Sequence, residues 1–456
     1  MNFNGIVNLQ REYFKSGATK SYDSRIKSLL ILKKIIINHQ NEIELALKKD
    51  LNKSPTEAFL TEISTVLDEL SYMIKNLSKL MKNKSVPTPI VQFYSKSFIS
   101  PEPYGVTLIM SPWNYPFYLT FAPLIGALAA GNTAIIKPSD YAANTSTLIK
   151  TLIETYFQPK YVSVVIGGRE ENKALLEEKY DYIFFTGSPS VGKLVMTKAA
   201  VNLTPISLEL GGKSPCIIDK TANIKLAAKR IAFGKHLNAG QTCIAPDYIL
   251  IDKSIKDEFI RYYKQYVYEF FGEEPLKSNE LCKIINEKHF NRLINLMKNE
   301  TIVLGGEFDE NTRQISPTLL DNITFDSKIM QEEIFGPIMP LISFNFLDEA
   351  LDYITSNHKP LALYLFSNSK VNQKNIMSIC SFGGGCINDT IMHIANSNLP
   401  FGGVGNSGMG AYHGKYSFDT FSHFRGILKK ATLFDIPLRY YPYDDTKSKL
   451  LRKILK

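Results

Sequence analysis

Cysteine is scarce: five in 456 residues, an odd number. Cys216, Cys243, Cys282, Cys380 and Cys386 form no Cys-x-x-Cys pair and no Cys/His cluster at ligand spacing. A chain of this length buries enough surface to fold without staples. A disulfide framework and a structural metal are therefore not expected, and a reducing compartment is. The N-terminus, MNFNGIVNLQREYF, lacks a basic stretch leading into an apolar run, so it does not read as a secretory signal. Glycine and proline number 27 and 22, too few for a collagen-like or low-complexity chain. Repeats of fixed period and Ser/Gly-rich linkers are also missing. One long run, residues 111–136, carries no formal charge and is long enough to cross a bilayer. Pro112, Pro116, Pro123 and the Gly131-Asn132 turn break it into loop, helix and strand, so a buried α/β unit is expected instead.

Charge of one sign does not dominate. The formal net charge is +9, from 53 basic and 44 acidic residues that are mostly interleaved. No stripe of basic and aromatic residues marks a nucleic-acid reader, and no nucleic-acid partner is expected. The exception is the tail from Thr446, with five cations and four large aliphatics. It reads either as a frayed end or as a short helix, with Leu450, Leu451, Ile454 and Leu455 at helical spacing, lying on anionic lipid. The expected location is cytoplasmic, with peripheral membrane contact through this tail.

What is present is a rhythm. Up to about residue 84 the spacing predicts helices: Ile26, Leu29, Leu30, Lys33 and Ile37 form one stripe, and Ile43, Leu47 and Leu51 another. Pro55 stands at a first helical position after Ser54. Residues 91–95 alternate between prolines and suggest an edge hairpin. Strands are expected at 106–110, 134–136, 162–166 and 182–185. Helices are expected at 118–130, 145–156, 171–178 and 189–200. This alternation predicts parallel βαβ units in a doubly wound sheet. A second α/β stretch starts near 209 and includes strands at 248–251 and 338–344. Ligands on such sheets bind outside the carboxyl ends of the strands, so the turns after 110, 136, 166 and 185 bound a candidate site.

The turn after Phe185 is TGSPSVGK. Gly187 permits an unusual backbone angle, Ser188 can cap the helix, and Pro189 suits its first position. The exposed N–H groups of that helix suit a phosphate or pyrophosphate. The segment nearly matches a P-loop, but Leu194 stands where the Mg²⁺-binding hydroxyl belongs, which weakens a nucleoside-triphosphatase reading. The GxGxxG spacing at 403–408 follows no strand and reads as a glycine-rich loop. Cys243 lies among glycine and short polar residues, a setting open to chemistry, whereas the other cysteines and the scattered histidines read as structural.

Taken together, several segments resemble the aldehyde dehydrogenase family: MSPWNYPF at 110–117, KPSD at 137–140, FTGSPSVG at 185–192, LELGGKSP at 208–215, GQTC at 240–243, EEIFGP at 332–337 and LPFGG at 399–403. The ending GAYHGKYSFDTFSH at 410–423 resembles the class 3 branch, acting on fatty and aromatic aldehydes. The resemblance implies two doubly wound parallel-sheet lobes and a small β bridging region. The nucleotide-binding lobe would comprise 1–84 and 103–208, the catalytic lobe 209–424, and bridging and oligomerisation segments 85–102 and 425–456.

It also implies NAD(P)-dependent oxidation of medium- or long-chain aliphatic or aromatic aldehydes to carboxylic acids by a homodimer. Cys243 would form a thiohemiacetal and then a thioester, Asn114 would donate to the oxyanion, and Glu209 would activate the hydrolytic water. Lys137 and Asp140 would lie near the adenosine ribose, Gly187 and Ser188 near the pyrophosphate, and Glu333 and Phe335 around the nicotinamide. Tyr115, Ile391, Ile394, Phe401 and His413 would line or border the aldehyde funnel. The family usually has Glu where Asp140 stands, which leaves NAD versus NADP open, and Glu333 is a second candidate base. The alternatives are a CoA-acylating relative, which Glu209 argues against, and a non-catalytic nucleotide-binding protein, which Cys243 and Asn114 argue against.

Overall fold

The computed structural model describes residues 2–433 and 435–455. Its first sheet has the order Gly408–Met409, Ile206–Leu210, Tyr182–Gly187, Val106–Met110, Thr133–Lys137, Val162–Val164. The five strands from Ile206–Leu210 onward run parallel, and Gly408–Met409 is antiparallel at the edge. Val106–Met110 and Thr133–Lys137 are buried throughout, which is why they read as continuous apolar runs and not as alternation. Between them lies helix Tyr118–Ala130, every residue of which is buried. The uncharged run at 111–136 is therefore the centre of this lobe. Among the described residues no helix is long and apolar enough to cross a membrane.

The second sheet has the order Thr301–Leu304, Thr318–Asp321, Ile338–Phe344, Tyr248–Asp252, Pro215–Ile218, Ala362–Phe366, Gly384–Ile387. All neighbours are parallel except Thr301–Leu304, which is an antiparallel edge. A doubly wound α/β architecture with two lobes is thus what the alternation of apolar strands and helices produced. One apolar core runs from Leu29, Phe121 and Ile136 in the first lobe to Ile231 and Ile249 in the second. That continuity holds the two carboxyl edges in a common frame.

One local expectation holds and one needs correction. The edge hairpin expected around residues 91–95 is formed by Lys84–Val86 and Ser95–Pro103, which pair antiparallel, and the 3₁₀ turn Ile90–Gln92 lies in its connection. Lys84–Val86, Ser95–Pro103 and Ser422–Lys430 form a separate three-stranded antiparallel sheet. Pro101 and Pro103 fall where Ser95–Pro103 has a partner on one side only, the edge setting in which a strand tolerates proline. In helix Tyr22–Asn38 the buried face is Arg25, Leu29, Leu32, Ile35 and Ile36, while Leu30 and Ile37 are exposed. Apolar residues surround this helix, so spacing alone does not choose a face. Arg25 takes part in the choice, because its guanidinium lies over Gly131 and donates to the Ala129 carbonyl at 3.2 Å.

Candidate active site

Helix Ile224–His236 is capped by the Asn223 side chain and leads into the turn that presents Cys243. Asn238, Ala239 and Gly240 follow one another in the left-handed region, at φ 53°, 50° and 71°. Each such non-glycine residue costs roughly 1–2 kcal/mol, so the turn persists only where surrounding bonds hold it. Those bonds are present. The Asn238 amide donates to the Asn114 carbonyl at 2.8 Å, its backbone N–H donates to Glu57 at 2.8 Å, and the Gln241 amide donates to the Lys283 carbonyl at 3.1 Å. A Cβ on Gly240 would fall 2.2 Å from the Gly336 carbonyl oxygen, so this position requires glycine for space as well as angle.

Cys243 is half-buried on the wall of a cavity of about 590 Å³, within the usual range for a small-molecule site. Leu60, Leu119, Phe233, Leu237, Phe270 and Phe271 make much of that wall. Burial pushes the thiol up to about 12, and the Glu333 and Glu209 carboxylates add to the shift. The backbone N–H groups of Cys243 and Ile244 act in the opposite direction.

Glu209 is the penultimate residue of strand Ile206–Leu210 and lines the same cavity. It is buried, and neither carboxyl oxygen has a hydrogen-bond partner. Burial alone holds its carboxyl well above the ordinary range. Such an orphaned acid is costly to keep, which marks it for chemistry more than for stability. Gly408 pairs with Glu209 across the antiparallel edge, and a Cβ there would meet the Leu208 carbonyl oxygen at 2.2 Å. Gly408 thus serves close packing on the strand that carries Glu209, and Gly403 close packing within its own loop, against the Ser407 carbonyl.

Asn114 is 2% exposed in the loop between strand Val106–Met110 and helix Tyr118–Ala130. One of its side-chain N–H groups donates to the Gln241 carbonyl at 3.0 Å, tying this loop to the Cys243 turn. The Tyr115 hydroxyl reaches the Thr242 hydroxyl at 2.6 Å. Tyr115, Ile391, Ile394 and Phe401 line the cavity. His413 stands one layer behind, stacked on Phe401 at 5.2 Å and 2.5 Å from the Tyr118 hydroxyl.

Glu333 is half-buried on a second cavity of about 300 Å³, beside Gly211, Gly212 and Lys213. Burial and then the Asp247 charge push its carboxyl up to about 8. A Cβ on Gly211 would sit 2.2 Å from a Glu333 carboxyl oxygen, so the Gly-Gly joint between lobes is what lets this acid approach. Phe335, at φ 51°, meets the edge of Trp113 at 5.3 Å.

Lys137 closes strand Thr133–Lys137. Its ammonium donates to the Pro138 carbonyl at 2.8 Å, and burial lowers its pKa against Asp140 and Glu171. Asp140 is exposed and lies opposite Gly168, where a Cβ would come within 3.0 Å of its carboxyl. Ser188 caps helix Pro189–Val201 by accepting the Val191 N–H. The role expected of Gly187 needs correction: its φ lies outside the left-handed region, and it is the Phe185 ring, 2.6 Å from a would-be Cβ, that excludes a side chain.

These groups fit a dinucleotide. A capped helix N-terminus suits a pyrophosphate, and Lys137 ends a parallel strand at the carboxyl edge of the sheet, with Asp140 in the turn after it. A sheet of this kind beside a cavity that holds a thiol and an unpaired carboxyl defines a nucleotide-dependent enzyme class. The aldehyde dehydrogenase family model matches residues 2–427, and the chain belongs to that family. It is an NAD(P)-dependent aldehyde dehydrogenase, similar to the class 3 branch.

It is 49% identical over 435 residues to 4,4'-diaponeurosporen-aldehyde dehydrogenase of Staphylococcus aureus, covering 95% of each chain. It is 45% identical over 430 residues to the dimeric NADP-preferring aldehyde dehydrogenase of Mus musculus, covering 94% of this chain and 95% of that one. A solved structure described as the substrate-bound state of Staphylococcus aureus AldH superposes with a TM-score of 0.98 at 47% identity, covering 100% of both chains.

The sequence reading missed Lys53 and Glu62, buried behind this site, and Glu57, half-buried on the cavity wall. Lys53 stands in the polar run Asn52-Lys53-Ser54-Pro55, which carries the signal of a solvated turn, so no local pattern points to it. Lys235 was also missed. It is fully buried, its ammonium has no partner, and burial lowers its pKa to about 8.

Proposed function

We propose that this enzyme oxidises medium- or long-chain aliphatic or aromatic aldehydes to carboxylic acids through a Cys243 thioester. The observation that carries the reading is that Cys243 and the unpartnered Glu209 face one largely apolar cavity. The Cys243 thiol loses its proton to water, and Sγ bonds the aldehyde carbonyl carbon as the C=O π pair moves onto oxygen. The free Asn114 side-chain N–H and the Cys243 backbone N–H donate to the oxygen that becomes anionic. A nicotinamide held by Glu333 and Phe335 would supply the hydride acceptor that takes this adduct to the Cys243 thioester. Glu209 then takes a proton from water, hydroxide adds to the thioester, and the Cys243 thiolate departs from the acid. Glu209 faces the cavity of the thiol whereas Glu333 faces the second cavity, which favours Glu209 as the base and leaves Glu333 to the nicotinamide ribose.

Absorbance at 340 nm with NAD or NADP and hexanal, decanal or benzaldehyde tests this directly. Turnover without CoA is expected, with kcat/KM rising from hexanal to decanal because each buried methylene contributes ~0.8 kcal/mol. Turnover only on addition of CoA would move the chemistry to acyl transfer.

On this reading the first lobe, with Lys137, Asp140, Gly187 and Ser188, holds the cofactor together with Glu333 and Phe335 of the second, the second lobe also supplies Cys243, and the three-stranded sheet bridges two protomers. The exposed carboxylate of Asp140 is one methylene shorter than the usual Glu and lies near the Lys137 ammonium, so both cofactors are expected to turn over. Asp140→Glu should favour NAD over NADP by about tenfold in relative kcat/KM, the worth of ~1.4 kcal/mol; an unchanged ratio would remove Asp140 from the choice.

The tail forms helix Asp445–Ile454, capped by Asp444, with Leu450 and Ile454 exposed. Surface association with anionic lipid follows, and full-length protein should pellet with anionic vesicles more than protein ending before Asp444. Equal pelleting would end that proposal.

A further inference from the structure

We propose that residues 53–63 form a brace that sets the position of the Asn114 amide, with Lys53 and Glu62 as positioning residues. This rests on the reading of Asn114 as an oxyanion donor. Lys53 and Glu62 are both 0% exposed and paired, Nζ to Oε1, at 2.5 Å. Their remaining bonds land on the loop that carries Asn114. The Lys53 ammonium donates to the Asn114 carbonyl at 3.3 Å and lies 4.0 Å from the centre of the Tyr115 ring. The other Glu62 oxygen accepts the Phe117 N–H at 2.8 Å and the Tyr118 N–H at 3.2 Å, at the start of helix Tyr118–Ala130. A carboxylate there also complements the positive end of the helix.

The same segment reaches the nucleophile's side of the cleft. Glu57 accepts the Asn238 N–H in the left-handed turn, and Tyr115, beneath Lys53, bonds the hydroxyl of Thr242. Phe59–Ile63 is a π-helical turn. Such turns are rare inside helices and concentrate at functional sites. Stability alone is a poor reason for this pair, because a buried ion pair can commonly be replaced by apolar residues without loss. Here it fixes two backbone loops against each other, which an apolar pair would not do.

The test is a double-mutant cycle read by NAD(P)H formation at saturating cofactor, with NAD(P)H binding followed by fluorescence. Asn114→Ala should lower kcat about 100-fold or more, and Lys53→Met about 10-fold. The pair Lys53→Met with Asn114→Ala should be no slower than Asn114→Ala alone, within about twofold, because one acts through the other. Cofactor affinity should stay within about twofold of wild type throughout. Glu62→Gln, which keeps an acceptor for Phe117 N–H but removes the partner of Lys53, should repeat the pattern and serves if Lys53→Met does not fold. Multiplicative losses in the double variants, an unchanged kcat in the single ones, or a loss confined to cofactor binding would overturn the brace. Full activity of Asn114→Ala would instead overturn the oxyanion assignment.

Discussion

Replacing Cys243 by alanine is expected to abolish aldehyde oxidation, with a loss of at least about 10⁴-fold in kcat, since Cys243 supplies the thiol on the cavity wall. Absorbance at 340 nm measures it. Residual turnover above a hundredth of wild type would mean a reaction without a covalent intermediate. The pH behaviour of this thiol is a second readout of the same residue. Only the thiolate reacts, and burial together with Glu333 and Glu209 pushes its pKa up to about 12 in the unliganded protein. Below that value the ionised fraction grows tenfold per pH unit, so alkylation of Cys243 by iodoacetamide, followed by mass spectrometry, should accelerate steadily from pH 7 to pH 10. Glu333, with its own carboxyl pushed up to about 8, is neutral at pH 6 and charged at pH 10. Glu333→Gln should therefore leave alkylation unchanged at pH 6 and speed it at pH 10, because the removed charge opposed the thiolate. Alkylation that is fastest below pH 7 would contradict this account.

Glu209→Gln is expected to lower steady-state turnover about 10²- to 10³-fold, the usual worth of a general base. The loss should fall on hydrolysis of the thioester and spare its formation. Rapid mixing should then show a burst of NAD(P)H equal to the enzyme concentration, followed by a slow steady rate, with the acyl group detectable on Cys243 by mass spectrometry. Burial keeps the Glu209 carboxyl protonated to higher pH than an ordinary glutamate, and a base must be ionised to act. Wild-type kcat should therefore rise with pH until that carboxyl has ionised, and the rise should disappear in Glu209→Gln. A variant that kept full turnover, beside a Glu333→Gln that lost it, would transfer the base role to Glu333.

Much of this site was readable along the chain. Ser188 and Pro189 announce a helix start by local chemistry alone, and the apolar strands 106–110 and 182–185 place the carboxyl edge to within two residues of where it lies. Asn114, Glu209 and Cys243 were legible as members of segments that together resemble the aldehyde dehydrogenase family; by local pattern alone Asn114 could equally close a turn and Glu209 sit as a strand-end carboxylate. Gly187 was legible as a required glycine but not for the right reason, since the ring that excludes a side chain becomes visible only once Phe185 has a rotamer. His413 was legible as a neighbour of the funnel, yet only packing puts it behind Phe401.

Short-range preferences thus determined the order of strands and helices along the chain and the capped turns, because caps, prolines and apolar periodicity act within a few positions of one another. Tertiary structure decided what depends on desolvation by distant segments. It left both oxygens of Glu209 without a partner, chose Arg25 and Leu32 over Leu30 and Ile37 as the buried face of their helix, and enclosed Lys53 with Glu62 beneath a loop more than fifty positions away. A lysine in a polar turn and a lysine fully removed from water look the same along the chain. The difference is the cost of losing hydration, and only the packed fold settles how that cost is met.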